Sequence, residues 1–280
     1  MSKRSRLRQI EEAIDVVNRK TDTAFAHEYL TNLPVWTYDW RHPKTGASYE
    51  LGLFSPRQTL TDSDLETCFS LVEETSKQDY ENSSRGWNPS AKRKEMRDPD
   101  LRYILVRDSS SQIQGFTSLM PTLEEGQPVI YCYEIHLKPA LRGTGLSKLL
   151  ISMLESVAAE IEVMEKVMLT VFTCNERAMQ FYRRCGFERD EISPQPRRLR
   201  GGKVKLPDYE ILSKKAKPRQ GGAEHGGTAH GGAPSIGTQN GNSKAGHKEK
   251  TATAEEPRPA KMARIDHDEP TEDGWETDEG

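Results

Sequence analysis

Residues 131–147 read Tyr-Cys-Tyr-Glu-Ile-His-Leu-Lys-Pro-Ala-Leu-Arg-Gly-Thr-Gly-Leu-Ser, and the fold is decided there. The run opens with aromatic and β-branched residues, which suit a buried strand. Lys138-Pro139 turns the chain, because proline has no N–H to give to a ladder. Arg142-Gly143-Thr144-Gly145-Leu146-Ser147 is a glycine-bearing loop, after which Leu146, Leu149, Leu150, Met153 and Leu154 fall on one helix face. The order is strand, glycine loop, helix start. Backbone N–H groups at such a junction are unpaired and the helix dipole favours an anion, so a pyrophosphate suits it. The stretch has neither the Gly-x-Gly-x-x-Gly of dinucleotide folds nor the Gly-Lys-Ser/Thr of a P-loop. A purely structural strand-to-helix turn would carry the same residues.

Outward from this stretch, helices and strands alternate. Towards the N-terminus, Val129 to Leu137 completes the strand, Pro121 to Pro128 reads as a turn, and Tyr103 to Arg107 with Ile113 to Leu119 reads as a hairpin. Pro89 to Arg97 is a short helix with proline at its start, and Tyr80 to Trp87 is polar and irregular. Thr61 to Lys77 is an amphipathic helix opened by a Thr-Asp cap, and Tyr49 to Phe54 is the first strand. Leu7, Ile10, Ile14 and Val17 recur at helical spacing, which predicts one or two helices between residues 5 and 32. Lys3, Arg4, Arg6 and Arg8 form a basic arm there: a solvated terminus, or a nuclear-import or ribosome-contacting one. Towards the C-terminus, Val167 to Phe172 is a strand covered on both faces. Asn175 opens a helix that Gly186 stops in the left-handed capping position. Phe187 to Glu191 and Tyr209 to Leu212 are two last strands, around the basic loop Pro194 to Pro207.

The chain has 280 residues, room for one ordinary domain plus extras or two small ones. A net charge of −3 does not argue for nucleic acid, and 34% hydrophobic content implies an unfolded part. That part is residues 218–280, which lack apolar periodicity and close on the acidic run Asp266 to Glu279. Pro259 to Asp266 faintly resembles a short nuclear-localisation signal, with a plain linker as the alternative. Cys68, Cys132, Cys174 and Cys185 lack metal-site spacing and no signal peptide precedes them, so reduced, buried thiols in an intracellular protein are expected. No apolar run approaches the ~20 residues of a membrane span.

Glu134 is the candidate chemical group. In a regular strand Tyr131 and Tyr133 share one face and Glu134 the other, unless a bulge re-aims one of them. A carboxylate in an apolar strand needs a partner or a task. The partner would be a neighbouring Arg or Lys; the task, taking a proton from an amine through a water. His136 is a second candidate base, or a satisfied histidine.

Arg-x-x-Gly-x-Ser over residues 142–147 resembles the Gln/Arg-x-x-Gly-x-Gly/Ala loop that binds the coenzyme A pyrophosphate in the Gcn5-related (GNAT) acetyltransferases, with Ser147 as a small departure. Val-Met-Leu-Thr-Val-Phe, then Asn175, Tyr182 and Gly186-Phe187, is similar to the second half of that cofactor site. Tyr-Cys-Tyr-Glu-Ile-His-Leu, Lys-Val-Met-Leu-Thr-Val-Phe and Asp-Tyr-Glu-Ile-Leu-Ser-Lys-Lys together resemble the NatD subfamily, over about Glu11 to Lys215. NatD enzymes acetylate the α-amine of histone 4 and histone 2A, which start Ser-Gly-Arg-Gly.

The resemblance implies a GNAT α/β fold: a mixed, mostly antiparallel sheet of about six or seven strands flanked by helices. Residues 1–48 would be an added arm and helical segment, and 49–217 the catalytic domain. It implies Glu134 and Tyr131 as catalytic residues, and Tyr80, Tyr133, Thr170 and Tyr209 along a peptide channel. Ile135, His136 and Leu137 would contact acetyl-CoA, with Arg142, Gly143, Thr144, Gly145, Leu146, Ser147, Lys148 and Asn175. Acetyl-CoA would be the co-substrate, with no metal and no auxiliary subunit, in a monomer of the nucleus and cytoplasm. A tyrosine at the place of Tyr182 often lies near the thiolate, though a core aromatic fits equally. Two positions depart from the subfamily. Arg85-Gly86-Trp87 replaces Trp-Gly-Trp, and Thr122 stands where an acid meets the substrate arginine, a contact Glu124 or Glu125 would have to supply.

Overall fold

The computed structural model describes residues 2–216; the predicted disordered tail, with its acidic run and the stretch before it, lies outside them. The helices are α1 (Lys3–Asn18), α2 (Asp22–Tyr29), α3 (Asp62–Glu81), α4 (Pro89–Met96), α5 (Leu146–Glu160) and α6 (Glu176–Arg184). The strands are β1 (Asp39–Arg41), β2 (Ser48–Phe54), β3 (Arg102–Arg107), β4 (Ile113–Glu124), β5 (Gln127–Leu137), β6 (Lys166–Phe172), β7 (Glu188–Arg189), β8 (Arg197–Arg198), β9 (Val204–Lys205) and β10 (Tyr209–Lys215). Eight strands make one sheet in the order β1-β2-β3-β4-β5-β6-β10-β7, and β8 with β9 forms a separate hairpin. Every ladder in the main sheet is antiparallel except β5 with β6. A parallel step needs a crossover, and α5 supplies it.

Alternation along the strands separates two cores. Ile104, Ile130 and Leu169 point to the layer of α1, α2, α5 and α6, where they meet Ile14, Phe25, Leu150, Leu154 and Met179. Tyr103, Leu105, Val129 and Met168 point the other way, to Leu65, Phe69 and Val72 of α3 and Met96 of α4. The N-terminal helices are tied to the sheet by one buried ion pair. Asp22 Oδ1 accepts from Arg102 Nη1 at 2.8 Å, and Asp22 Oδ2 accepts from the Ser55 N–H at 3.0 Å and the Thr59 hydroxyl at 2.5 Å. The other end of the guanidinium donates to the Lys20 and Asn18 carbonyls at 2.7 and 3.2 Å.

Six expectations are corrected. A short strand, β1, precedes the one predicted first and pairs with it. The third helix runs to Glu81, so Tyr80 lies in its last turn and not in a loop. The strand read as ending at Leu119 continues through Pro121 to Glu124. Proline is tolerated there because β3 stops pairing at Arg102 opposite Leu119, which leaves Pro121 no partner to fail on that side. The turn contracts to Glu125-Gly126, both at positive φ. The loop between the last strands carries the β8–β9 hairpin. Cys174 is exposed and Cys185 half-buried, whereas Cys68 and Cys132 are buried.

Candidate active site

The parallel ladder of β5 and β6 is short: Val129 to Cys132 pair with Lys166 to Leu169, and then the strands part. A cavity of about 360 Å³ opens between them. Its walls are Tyr133 to Leu137 of β5, Leu169 to Phe172 of β6, Asn175 and Tyr182 beside them, and Thr75 and Asp79 of α3. Arg142, Gly143 and Ser147 close it at the start of α5.

A bulge decides what faces the cavity. Ser118 pairs with Glu134 and Leu119 with Cys132, so Tyr133 is an extra residue with no opposite number. Tyr131, Tyr133 and Glu134 therefore all face the α3–α4 layer. There the Lys92 ammonium donates to Glu134 Oε1 at 2.9 Å and to Glu95 Oε1 at 2.5 Å, and lies 5.1 Å from the centre of the Tyr80 ring. His136 Nε2 stands 2.5 Å from Glu134 Oε2; an ionised carboxylate only accepts, so the imidazole donates. His136 Nδ1 is 2.6 Å from the Thr75 hydroxyl. Burial pushes the Glu134 carboxyl up, but Lys92 and His136 outweigh it and hold the group down at about 2. Burial raises Glu95 against the pull of Lys92. The partner anticipated for Glu134 is thus present, from a helix whose sequence gave no sign of a buried lysine.

At the loop, Gly143 and Gly145 have φ of 72° and 90°, and a side chain at either would meet nothing within 4 Å. Gly145 caps α5 without a side-chain bond, so the first N–H groups of that helix remain open to an anion. Arg142 Nε donates to the Leu137 carbonyl at 2.9 Å, pinning the loop to the strand end. This cradle fits a pyrophosphate. The other loop residues differ in what they offer: Leu146 is buried in the core, Lys148 is exposed, and the Thr144 hydroxyl donates to the Leu141 carbonyl at 2.6 Å. Asn175 lines the cavity with its amide engaged, accepting from Ala178 N–H and donating to Asp79 Oδ2, each at 3.1 Å.

The residues expected along a peptide channel are divided. Tyr133 and Thr170 line the first cavity. Tyr131 is buried and meets that wall through its hydroxyl, 2.6 Å from Thr170 Oγ1. Tyr80 packs edge-on to Phe172 and Trp87, at 4.9 and 5.3 Å. Tyr209 lines a second cavity of about 500 Å³, with Glu124, Glu125, Asp208 and Arg197. Among the described residues, no three His, Cys, Asp or Glu side chains stand together as a metal site, and no helix is long and apolar enough to cross a membrane.

Residues 63–187 match the model of the acetyltransferase (GNAT) family. N-alpha-acetyltransferase 40 of Saccharomyces cerevisiae is 32% identical over an alignment of 174 positions that covers 51% of this chain and 60% of the yeast protein. Spermidine N-acetyltransferase of Vibrio cholerae, solved with CoA and spermine, is 18% identical, covers 59% of this chain and 95% of its own, and superposes with a TM-score of 0.41. The ribosomal-protein-S18-alanine N-acetyltransferase of Escherichia coli is 16% identical over 61% of this chain and 96% of its own, with a TM-score of 0.40. Residues 63–187 are thus similar to the GNAT acetyltransferases, and the chain spans 60% of the length of the N-alpha-acetyltransferase 40 it matches.

Proposed function

We propose that the protein transfers the acetyl group of acetyl-CoA to a protein α-amine, that of the Ser-Gly-Arg-Gly N-termini of histone 4 and histone 2A. The observation that carries this reading is the parting of β5 from β6 between an open helix N-terminus and Glu134. The loop and α5 hold the pyrophosphate, and the parted strands hold the pantetheine arm. Backbone N–H groups of Ile135 to Leu137 polarise the thioester carbonyl. The neutral amine nitrogen attacks the carbonyl carbon. A C–N bond forms, the C–S bond breaks, and the proton lost by nitrogen ends on the coenzyme A sulfur. Glu134 faces the nitrogen, directly or through a water, and stabilises the positive charge it gains.

The second cavity receives the residues that follow the N-terminal serine. Glu124 and Glu125 on its wall suit a guanidinium. Changing both to Gln is expected to raise KM for a Ser-Gly-Arg-Gly-Lys peptide about tenfold with kcat little changed; an unchanged KM would remove them from arginine recognition. The same reading has a monomer acting in nucleus and cytoplasm without an auxiliary subunit, and the exposed Arg4, Arg6 and Arg8 suit a ribosome contact.

The test is acetyl transfer to that peptide beside the same peptide with a blocked α-amine. Product from the free peptide alone is expected. Product from the blocked one would move the reaction to the lysine side chain. Product from neither, with acetyl-CoA bound, would assign the site to other N-termini.

A further inference from the structure

The cluster around Glu134 contains more than the reaction sketched above uses. Lys92 and Glu95 lie one turn apart on α4, both buried, and Lys92 reaches across to β5. Burying a charge is costly unless it is paired. A lysine and two carboxylates in one buried cluster are therefore an arrangement with a consequence for all three groups.

We propose that Lys92 is a positioning residue for acetyl transfer. Clamped between Glu95 and Glu134, it keeps Glu134 an ionised hydrogen-bond acceptor that orients the amine, so that the amine must arrive neutral. The proposal rests on the N-terminal acetyltransferase reading and sharpens it to the class of amine accepted. The geometry is specific. Both oxygens of Glu134 are engaged, Oε1 by Lys92 at 2.9 Å and Oε2 by His136 at 2.5 Å. A carboxylate so held is a good acceptor of hydrogen bonds and a poor acceptor of protons.

The other titratable groups that feel the Glu134 charge are Glu95 of α4, Tyr80 of α3 and Tyr103 of β3 on its own side of the sheet, and Tyr182 of α6 and Cys132 of its own strand on the other. Burial raises the phenols and the thiol, so they stay neutral and do not offset Lys92. Burial pulls Lys92 down, but Glu134 and Glu95 outweigh it and hold the ammonium charged.

The chemical consequence is selectivity. An α-amine, ordinarily near 7.7–8.0, is neutral about a third of the time at pH 7.5, whereas a lysine side chain, near 10.4, is neutral about a thousandth of the time. A site that does not draw the proton away favours the first by a few hundredfold before any contact is made.

The experiment is a titration of Glu134 in full-length protein labelled with carbon-13 at the glutamate carboxyls, its signal assigned by loss in Glu134→Gln. In the wild type, and in Lys92→Arg, the signal is expected to be flat from pH 9 down to 4. In Lys92→Met a midpoint should appear above pH 4, more than two pH units higher than in the wild type, a gain in proton affinity of more than about a hundredfold. The variant Lys92→Met with Glu95→Gln removes both members of the α4 pair and covers the case in which the single change unfolds the protein. Kinetics run in parallel. The acidic limb of kcat/KM should follow the peptide amine in the wild type, and a further ionisation should appear in kcat for the Lys92→Met forms. A flat carboxyl signal in the folded double variant would overturn this proposal alone. A wild-type protein inactive on every α-amine would overturn the functional reading as well.

Discussion

Glu134→Gln is expected to lower kcat for acetyl transfer by about 10²–10³-fold while leaving the affinity for acetyl-CoA within a factor of a few. The substitution is nearly isosteric, so the effect isolates charge. As the C–N bond forms, the nitrogen becomes positive, and Glu134 is the carboxylate on the cavity wall facing it from β5. Glutamine also disturbs the cluster. Its amide nitrogen and His136 Nε2 would both be donors across the present 2.5 Å contact, so either the imidazole changes tautomer or the amide turns away. Lys92 keeps Glu95 as a partner, which limits the loss of stability. Steady-state kinetics with calorimetry of acetyl-CoA binding separate the two effects. Unchanged kcat in a folded Glu134→Gln protein would falsify the assignment of Glu134 to the chemistry.

The largest effect on stability is expected far from the cavity. Asp22→Ala should cost about 3–5 kcal/mol, because it strands the Arg102 guanidinium in the interior. Asp22 and Arg102 are 5% and 3% exposed, and the pair joins α2 to β3 while the guanidinium also holds the carbonyls of Asn18, which ends α1, and of Lys20 just beyond it. Removing the carboxylate deprives the Ser55 N–H and the Thr59 hydroxyl of their acceptor as well. For a folded part of this size the melting temperature should fall on the order of 10 °C. Asp22→Asn, which keeps an acceptor but loses the charge, should fall between. Scanning calorimetry reads both, and a shift below about 2 °C for Asp22→Ala would mean that the N-terminal helices are held by their apolar faces alone.

The parts of the fold that could be read from the sequence are those that local chemistry dictates. Pro139 ends β5, two glycines open the loop, and the leucine stripe of α5 follows. Asn175 caps α6 and Gly186 stops it at a φ of 85°. What escaped reading depends on partners distant in sequence. Pro121 looks like a breaker until β3 is seen to end before it. Tyr80 looks like loop because α3 turns polar in its last turns, where no apolar stripe marks the helix. Lys92 escaped for the same reason. Pro-Ser-Ala-Lys-Arg-Lys-Glu-Met has the composition of a surface helix, and Met96 is the sole apolar clue to a buried face shared with Lys92 and Glu95. The side on which Glu134 falls was undecidable from β5 alone, since the bulge that sets it is a mismatch with Ser118 and Leu119 of β4.

In terms of chain length, Tyr133 is a spare residue. Deleting it would close β5 against β4 as an ordinary ladder, with Tyr131 still opposite Met120 and Glu134 still opposite Ser118. The carboxylate is addressed by its distance from the loop that follows, not by a count from the turn that precedes the strand. A chain one residue shorter here would keep its acid in the same place and lose only the tyrosine ring. An insertion two residues later, between Ile135 and His136, would instead turn the imidazole away from it.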